Sequence, residues 1–97
     1  MTLDELTISV DRRPDGMVIH LGGTLDTRTH HLLDDVEVAG EQVILDAGGL
    51  DFCDSTGISA LLGLHKRAGT LTLRGVHGIL ARVLRVTGLD ALFEIES

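Results

Sequence analysis

Between Leu45 and Gly57 the chain reads LDAGGLDFCDSTG, placing three carboxylates (Asp46, Asp51, Asp54) and two adjacent hydroxyls (Ser55, Thr56) just ahead of an apolar helical pattern. Side chains of this kind at such a boundary accept the N–H groups that a first helical turn leaves unpaired. Capping by Asp54 or Ser55 is therefore the elementary reading. The same place suits a phosphate, because free N–H groups and the helix dipole favour the charge of about −1.5 to −2 that phosphorylation brings. A phosphoserine here leaves the helix intact and acts on whatever docks against the loop. A partner that accepts a neutral hydroxyl meets a dianion beside Asp54 and Asp51.

Other chemistries have less support. Ser55 lies outside any G-x-S-x-G turn and no His is tied to it by spacing, so a hydrolase triad is a weak alternative. Gly22-Gly23 and Gly48-Gly49 belong to neither G-x-x-x-x-G-K-[ST] nor G-x-G-x-x-G, and the only lysine, Lys66, falls inside a predicted helix. His30-His31 is a poor metal pair, since adjacent helical residues point different ways and no third ligand is indicated. Cys53 reads as a small buried apolar residue whose acidic neighbours raise its pKa, and it is assigned no role. The pattern calls for no cofactor and no metal, and the expectation is a binding protein, not an enzyme.

The elements that must position this loop follow from periodicity. Leu6, Ile8 and Val10 alternate as in a strand, Arg13-Pro14-Asp15-Gly16 supplies turn residues, and Met17 to Leu21 is the return strand. Gly22-Gly23 lets the chain bend toward Asp26 or Thr27 as helix N-cap, with a first helix between Thr27 and Ala39 closed by Gly40. Gln42 to Asp46 is a compact buried strand, and AGGLDFCD is read as loop. In the second helix Ile58, Leu61, Leu62 and His65 share one face, ending at Ala68-Gly69. Thr70 to Arg74 alternates. Ile79, Val83 and Val86 mark the stripe of a third helix, widened by Leu80 and Leu84 and stopped by Gly88, before a last strand over Leu92 to Ile95. The order β-β-α-β-α-β-α-β predicts a small α/β fold, a mixed β-sheet of about five strands covered by about three helices, as a single domain over residues 1–97. Binding chemistry then belongs at the carboxyl ends of strands, in the loops at Gly23 to Thr27 and Ala47 to Gly57.

Composition narrows the function classes. In 97 residues, 8 basic side chains face 15 acidic ones, and the formal net charge of −7 repels nucleic acid and anionic membrane surfaces. A single Cys excludes an internal disulfide and suits a reducing, cytoplasmic setting. The stretch MTLDELTISVDRR lacks the apolar core of a signal peptide, and no apolar run approaches the ~20 residues of a membrane span, so no membrane insertion is expected.

An apolar strand ending in Leu-Asp, a Gly-containing loop, a Phe, then Asp-Ser-Thr-Gly-Ile resembles the signature of the STAS domains, and within them the bacterial anti-sigma factor antagonists. It lies in VILDAGGLDFCDSTGISALLGLHKRAG, residues 43–69, with echoes in LGGTLDT (residues 21–27) and RVLRVTGLDALFEI (residues 82–95). The resemblance implies a phosphoprotein that regulates transcription by partner switching. Its unphosphorylated form would bind an anti-sigma factor, itself a serine kinase, and release sigma. Phosphorylation at Ser55, with Thr56 as the competing hydroxyl, would switch binding off, and a phosphoserine phosphatase would restore it. Asp26, Asp54, Ser55, Thr56 and Gly57 would form the partner-binding surface. The alternative within the same family is a STAS subunit of a transport, lipid-trafficking or sensory complex without obligatory phosphorylation.

Overall fold

A computed structural model describes residues 5–96. Strands β1 (Leu6–Arg13) and β2 (Gly16–Leu25) form the antiparallel hairpin that the turn residues require. The parallel strands β3 (Gln42–Cys53), β4 (Thr70–Arg74) and β5 (Glu94–Glu96) follow, joined through helices α1 (His30–Asp34), α2 (Ser55–Arg67) and α3 (Gly78–Thr87). Strand order in the sheet is β1-β2-β3-β4-β5, so every strand lies beside its sequence neighbour. This is the five-stranded mixed sheet with three helices expected from the sequence.

The period of two divides the sheet. Met17, Ile19 and Leu21, then Val43, Leu45 and Ala47, then Leu71 and Leu73 face a core completed by Leu33 of α1, Ile58, Leu61 and Leu64 of α2, and Leu80 and Leu84 of α3. All three helices therefore cover the same side. The opposite face carries a polar row in register, His20, Asp46, Arg74 and Glu96. His20 Nδ1 lies 3.1 Å from Asp46 Oδ2, and Arg74 Nε donates to Glu96 Oε1 at 3.2 Å.

Several boundaries differ from the sequence reading. AGGLDFC is strand, not loop, because β3 runs on to Cys53 alongside β2, which continues to Leu25. The pairing crosses Gly22 and Gly49, which approach closely: a Cβ on Gly49 would lie 3.1 Å from the Leu21 carbonyl oxygen and 3.2 Å from Gly22 Cα. Two register irregularities accompany this passage. The first helix shrinks to five residues. Arg67 of α2 donates to the carbonyls of Asp34 and Val36, and Val38 is fully buried, so the chain after Asp34 is held by the core and cannot continue helically. Thr29, not Asp26 or Thr27, stands at the N-cap position.

In α2 the buried line is Ile58, Leu61 and Leu64, while His65 is half-buried with its ring edge-to-face against Phe93. In α3 the core takes Leu80 and Leu84, whereas Ile79 and Val86 point outward. Gly88 ends that helix in the left-handed conformation, φ 78°, as its position suggested. The last strand starts two residues later than expected, since a 3-10 turn over Leu89–Ala91 and the buried Phe93 precede it.

Candidate functional site at the carboxyl ends of β2 and β3

Leu25 and Cys53 are paired as the last residues of β2 and β3, and the Asp54 N–H donates to the Leu25 carbonyl at 3.3 Å. The two loops that the sequence singled out thus leave the sheet side by side. Asp54 is the N-cap of α2: its backbone is extended and its Oδ1 accepts from Gly57 N–H at 2.9 Å. Gly57 is buried, and the helix start lies so close to β2 that a Cβ there would fall 2.4 Å from the Leu25 carbonyl oxygen and 2.6 Å from Cys53 Sγ. Only glycine fits.

Ser55 is the first helical residue, exposed, and among the described residues its hydroxyl has no hydrogen-bond partner. Thr56 differs. Its Oγ1 lies 3.1 Å from Thr27 Oγ1, which ties the first turn of α2 to the loop after β2. Asp54 half-buried, Asp51 exposed and Phe52, 42% exposed, complete the rim. An exposed Phe in a chain with two of them is a site feature the sequence reading missed. The signature contains a Phe at that place, but its outward direction depends on the irregular end of β3.

Asp26 lies inward from this rim and is buried. Its Oδ1 accepts the Arg28 N–H at 2.9 Å, and its Oδ2 accepts from Arg28 Nη2 at 3.2 Å. Thr29 Oγ1 binds the Thr24 carbonyl at 2.8 Å and receives the Asp26 N–H at 2.9 Å. Desolvation acts to raise the Asp26 pKa, but the Arg28 backbone N–H, its guanidinium and the Thr29 hydroxyl outweigh it and hold the carboxyl below its ordinary value. Asp26 is an ionised clamp on its own loop, and the exposed charge it presents is that of Arg28.

The remaining groups fall elsewhere. Cys53 is buried, and desolvation with Asp54 beside it pushes its thiol up to about 12, a value at which thiolate chemistry is suppressed near neutrality. His30 faces the Asp34 carboxylate, and the His31 ring stands edge-on to it. Among the described residues no helix is long and apolar enough to cross a membrane.

Known proteins share this fold. Residues 8–94 match the family model described as "Mlab, STAS domain". A crystal structure of an anti-sigma factor antagonist from Mycobacterium paratuberculosis is similar at a TM-score of 0.79 and 19% identity, over 93% of this chain and 84% of that one. The anti-sigma factor antagonist SpoIIAA in its unphosphorylated form is similar at 0.64 and 18%, over 94% and 88%. An uncharacterized protein with a SpoIIAA-like fold from Shewanella loihica PV-4 matches at 0.57 and 14%, over 99% and 87%. At these identities the solved structures establish the fold. The family model covers most of the chain, and the protein belongs to the STAS domain family.

Proposed function

We propose that the protein is an anti-sigma factor antagonist: a cytoplasmic binding module, not an enzyme, that captures an anti-sigma factor and releases sigma until Ser55 is phosphorylated. The observation that carries this reading is the contrast at the start of α2. Asp54 caps, Thr56 is tied to Thr27 and Gly57 is buried, whereas the Ser55 hydroxyl is exposed and unengaged. A kinase needs a hydroxyl it can align with the γ-phosphorus. The Ser55 oxygen forms the new O–P bond as the bond to ADP breaks, and its proton passes to a base of the kinase.

The product is tolerated where it forms. The N–H groups of Ser55 and Thr56 lie in the first turn, outside the intrahelical ladder, and the helix dipole favours the added charge. Partner binding is a different matter, because the phosphate stands beside Asp54 and Asp51 in an already acidic rim. In this reading the unphosphorylated partner surface consists of Ser55, Thr56, Asp54 and Phe52. Gly57 contributes by letting α2 approach β2, and Asp26 by fixing Arg28. Likeness to the two anti-sigma factor antagonists supports the assignment.

The test is incubation with an anti-sigma kinase from the same cell and Mg-ATP, followed by peptide mass spectrometry. One phosphate on Ser55 is expected, removable by a phosphoserine phosphatase, with lost affinity for the kinase by titration calorimetry. Phosphate on Thr56 or Ser59, or binding indifferent to phosphorylation, overturns the reading.

A further inference from the structure

Helix α3 carries two apolar stripes, and the core uses one of them. Leu80 and Leu84 are buried, while Ile79 and Val86 are 41% and 75% exposed and Val83 is half-buried. Ile79, Val83 and Val86 stand at i, i+4 and i+7, on one face. Thr87 continues that face with its methyl, because its hydroxyl donates back to the Val83 carbonyl at 2.6 Å. With Arg82 these side chains line an open groove of about 370 Å³.

The charge on this helix is unlike that of the chain. Residues 78–87 contain Arg82 and Arg85 and no acid, in a protein of formal net charge −7. Elsewhere arginine is engaged: Arg12 on the Glu37 carbonyl, Arg13 on Asp11, Arg28 on Asp26, Arg67 on the end of α1, Arg74 on Glu96. Arg82 and Arg85 are exposed and, among the described residues, their guanidinium groups hold no ion pair or hydrogen bond. At about 100° per residue both fall on the same solvent-side flank of the stripe, Arg82 nearer to it.

We propose that this face of α3 docks an amphipathic helix of a partner protein. The partner's apolar side would seat on Ile79, Val83 and Val86, and its carboxylates, on one flank only, would meet Arg82 and Arg85. Ridges at i and i+4 spacing accept the side-chain rows of another helix, and two unpaired arginines along one rim give the contact a charge preference and a direction. A second copy of this chain fits less well, since its own α3 (GILARVLRVT) offers no carboxylate to meet Arg82 and Arg85. An anionic lipid surface is repelled by the net charge. The inference uses none of the residues at the start of α2, so it stands apart from the Ser55 reading.

The test titrates the full, isotope-labelled chain with two synthetic amphipathic peptides that share one leucine face, one bearing Glu on the polar flank and the other Lys. The Glu peptide should shift the amide resonances of residues 78–88 and bind about tenfold tighter than the Lys peptide, a difference of about 1.4 kcal/mol. Arg82→Glu with Arg85→Glu should reverse that preference, and Val86→Asp should abolish Glu-peptide binding, both without changing the melting temperature because the sites are exposed. Absence of binding, equal affinity for both peptides or shifts outside α3 would overturn the proposal. So would self-association of the free chain in sedimentation that Val86→Asp removes, or cosedimentation with phosphatidylglycerol vesicles that the double arginine variant removes.

Discussion

The Thr27 and Thr56 hydroxyls meet at 3.1 Å, joining the loop after β2 to the first turn of α2 across 29 positions of sequence. Because Leu25 and Cys53 pair just behind them, this bond closes the outer edge of the site. Thr56→Val removes it without changing side-chain shape much, and one neutral hydrogen bond contributes about 0.5–1.5 kcal/mol. In a double-mutant cycle with Thr27→Val, urea unfolding should show a coupling of about that size. Additivity of the two losses would mean that the hydroxyls do not cooperate. Ser55 phosphorylation should persist in Thr56→Val, since the acceptor is the other hydroxyl.

Two glycines in α2 make opposite forecasts. A Cβ on Gly57 meets the Leu25 carbonyl oxygen at 2.4 Å, whereas Gly63 has nothing within 4 Å. Gly57→Ala should destabilise by about 1–3 kcal/mol as the helix is forced off β2. Gly63→Ala should stabilise by up to about 1 kcal/mol, the helix-propensity difference. Thermal melts of the two single variants check both signs, and a neutral Gly57→Ala would show that the helix start can shift freely.

How much of this was legible follows the range of the interaction that fixes each part. Gly88 as stop and Asp54 as cap depend on residues within one turn; Gly88 stands where the local pattern put it, and Asp54 is one of the two caps, with Ser55, that the pattern offered. The extension of β3 through Gly48-Gly49 depends on the Gly22-Gly23 backbone of β2, which no local pattern reveals. The short α1 is likewise set at a distance, by Arg67 from the far end of α2. Helix α3 shows a different ambiguity. Its sequence offers two overlapping apolar stripes, and only the position of the sheet decides that Leu80 and Leu84 face the core while Ile79 and Val86 do not.

Asp26 was expected on the partner surface, and its carboxylate is turned into its own loop. Asp26→Ala removes the carboxylate that accepts from Arg28 and from the Thr29 hydroxyl, and leaves that hydroxyl with the Thr24 carbonyl and the backbone N–H of residue 26. The expected outcome is a lower melting temperature together with weaker kinase binding, and Asp26→Asn, which keeps an acceptor for the Arg28 N–H, should recover much of the melting temperature. Lost binding with an unchanged melt in Asp26→Ala would indicate a direct contact with the partner instead.

Acid stability has a specific source on the open face of the sheet. The Gly48 N–H, then His20 and Arg74, hold the Asp46 carboxyl below its ordinary value of 3.8, with desolvation opposing them. A depressed carboxyl pKa contributes stability that is fully present above the unfolded value and is lost as pH falls through the folded one. Urea midpoints measured from pH 6 down to pH 2 should therefore fall on the acid side of about pH 4. Asp46→Asn should flatten that limb and be less stable than the parent at pH 6. An unchanged limb in the variant would assign the acid sensitivity to other carboxylates, Asp26 first.

The phosphate switch itself is separable from folding by two substitutions at one atom. Ser55→Ala removes the acceptor and adds neither charge nor bulk, so this variant should bind the anti-sigma factor at all times and keep sigma free. Ser55→Asp places a carboxylate beside Asp54 at the helix start, where the dipole tolerates it, and it should melt within a few degrees of the parent. Its binding should weaken, through like-charge repulsion in the acidic rim and the cost of covering an unpaired carboxylate at an interface. The loss should be smaller than that caused by true phosphorylation, because a carboxylate has less charge and fewer acceptor oxygens. Titration calorimetry of both folded variants and of the phosphorylated parent ranks the three, with circular dichroism as the folding control. The order alanine, aspartate, phosphoserine from tight to weak is the signature of an electrostatic switch, and equal affinities for alanine and aspartate would rule one out.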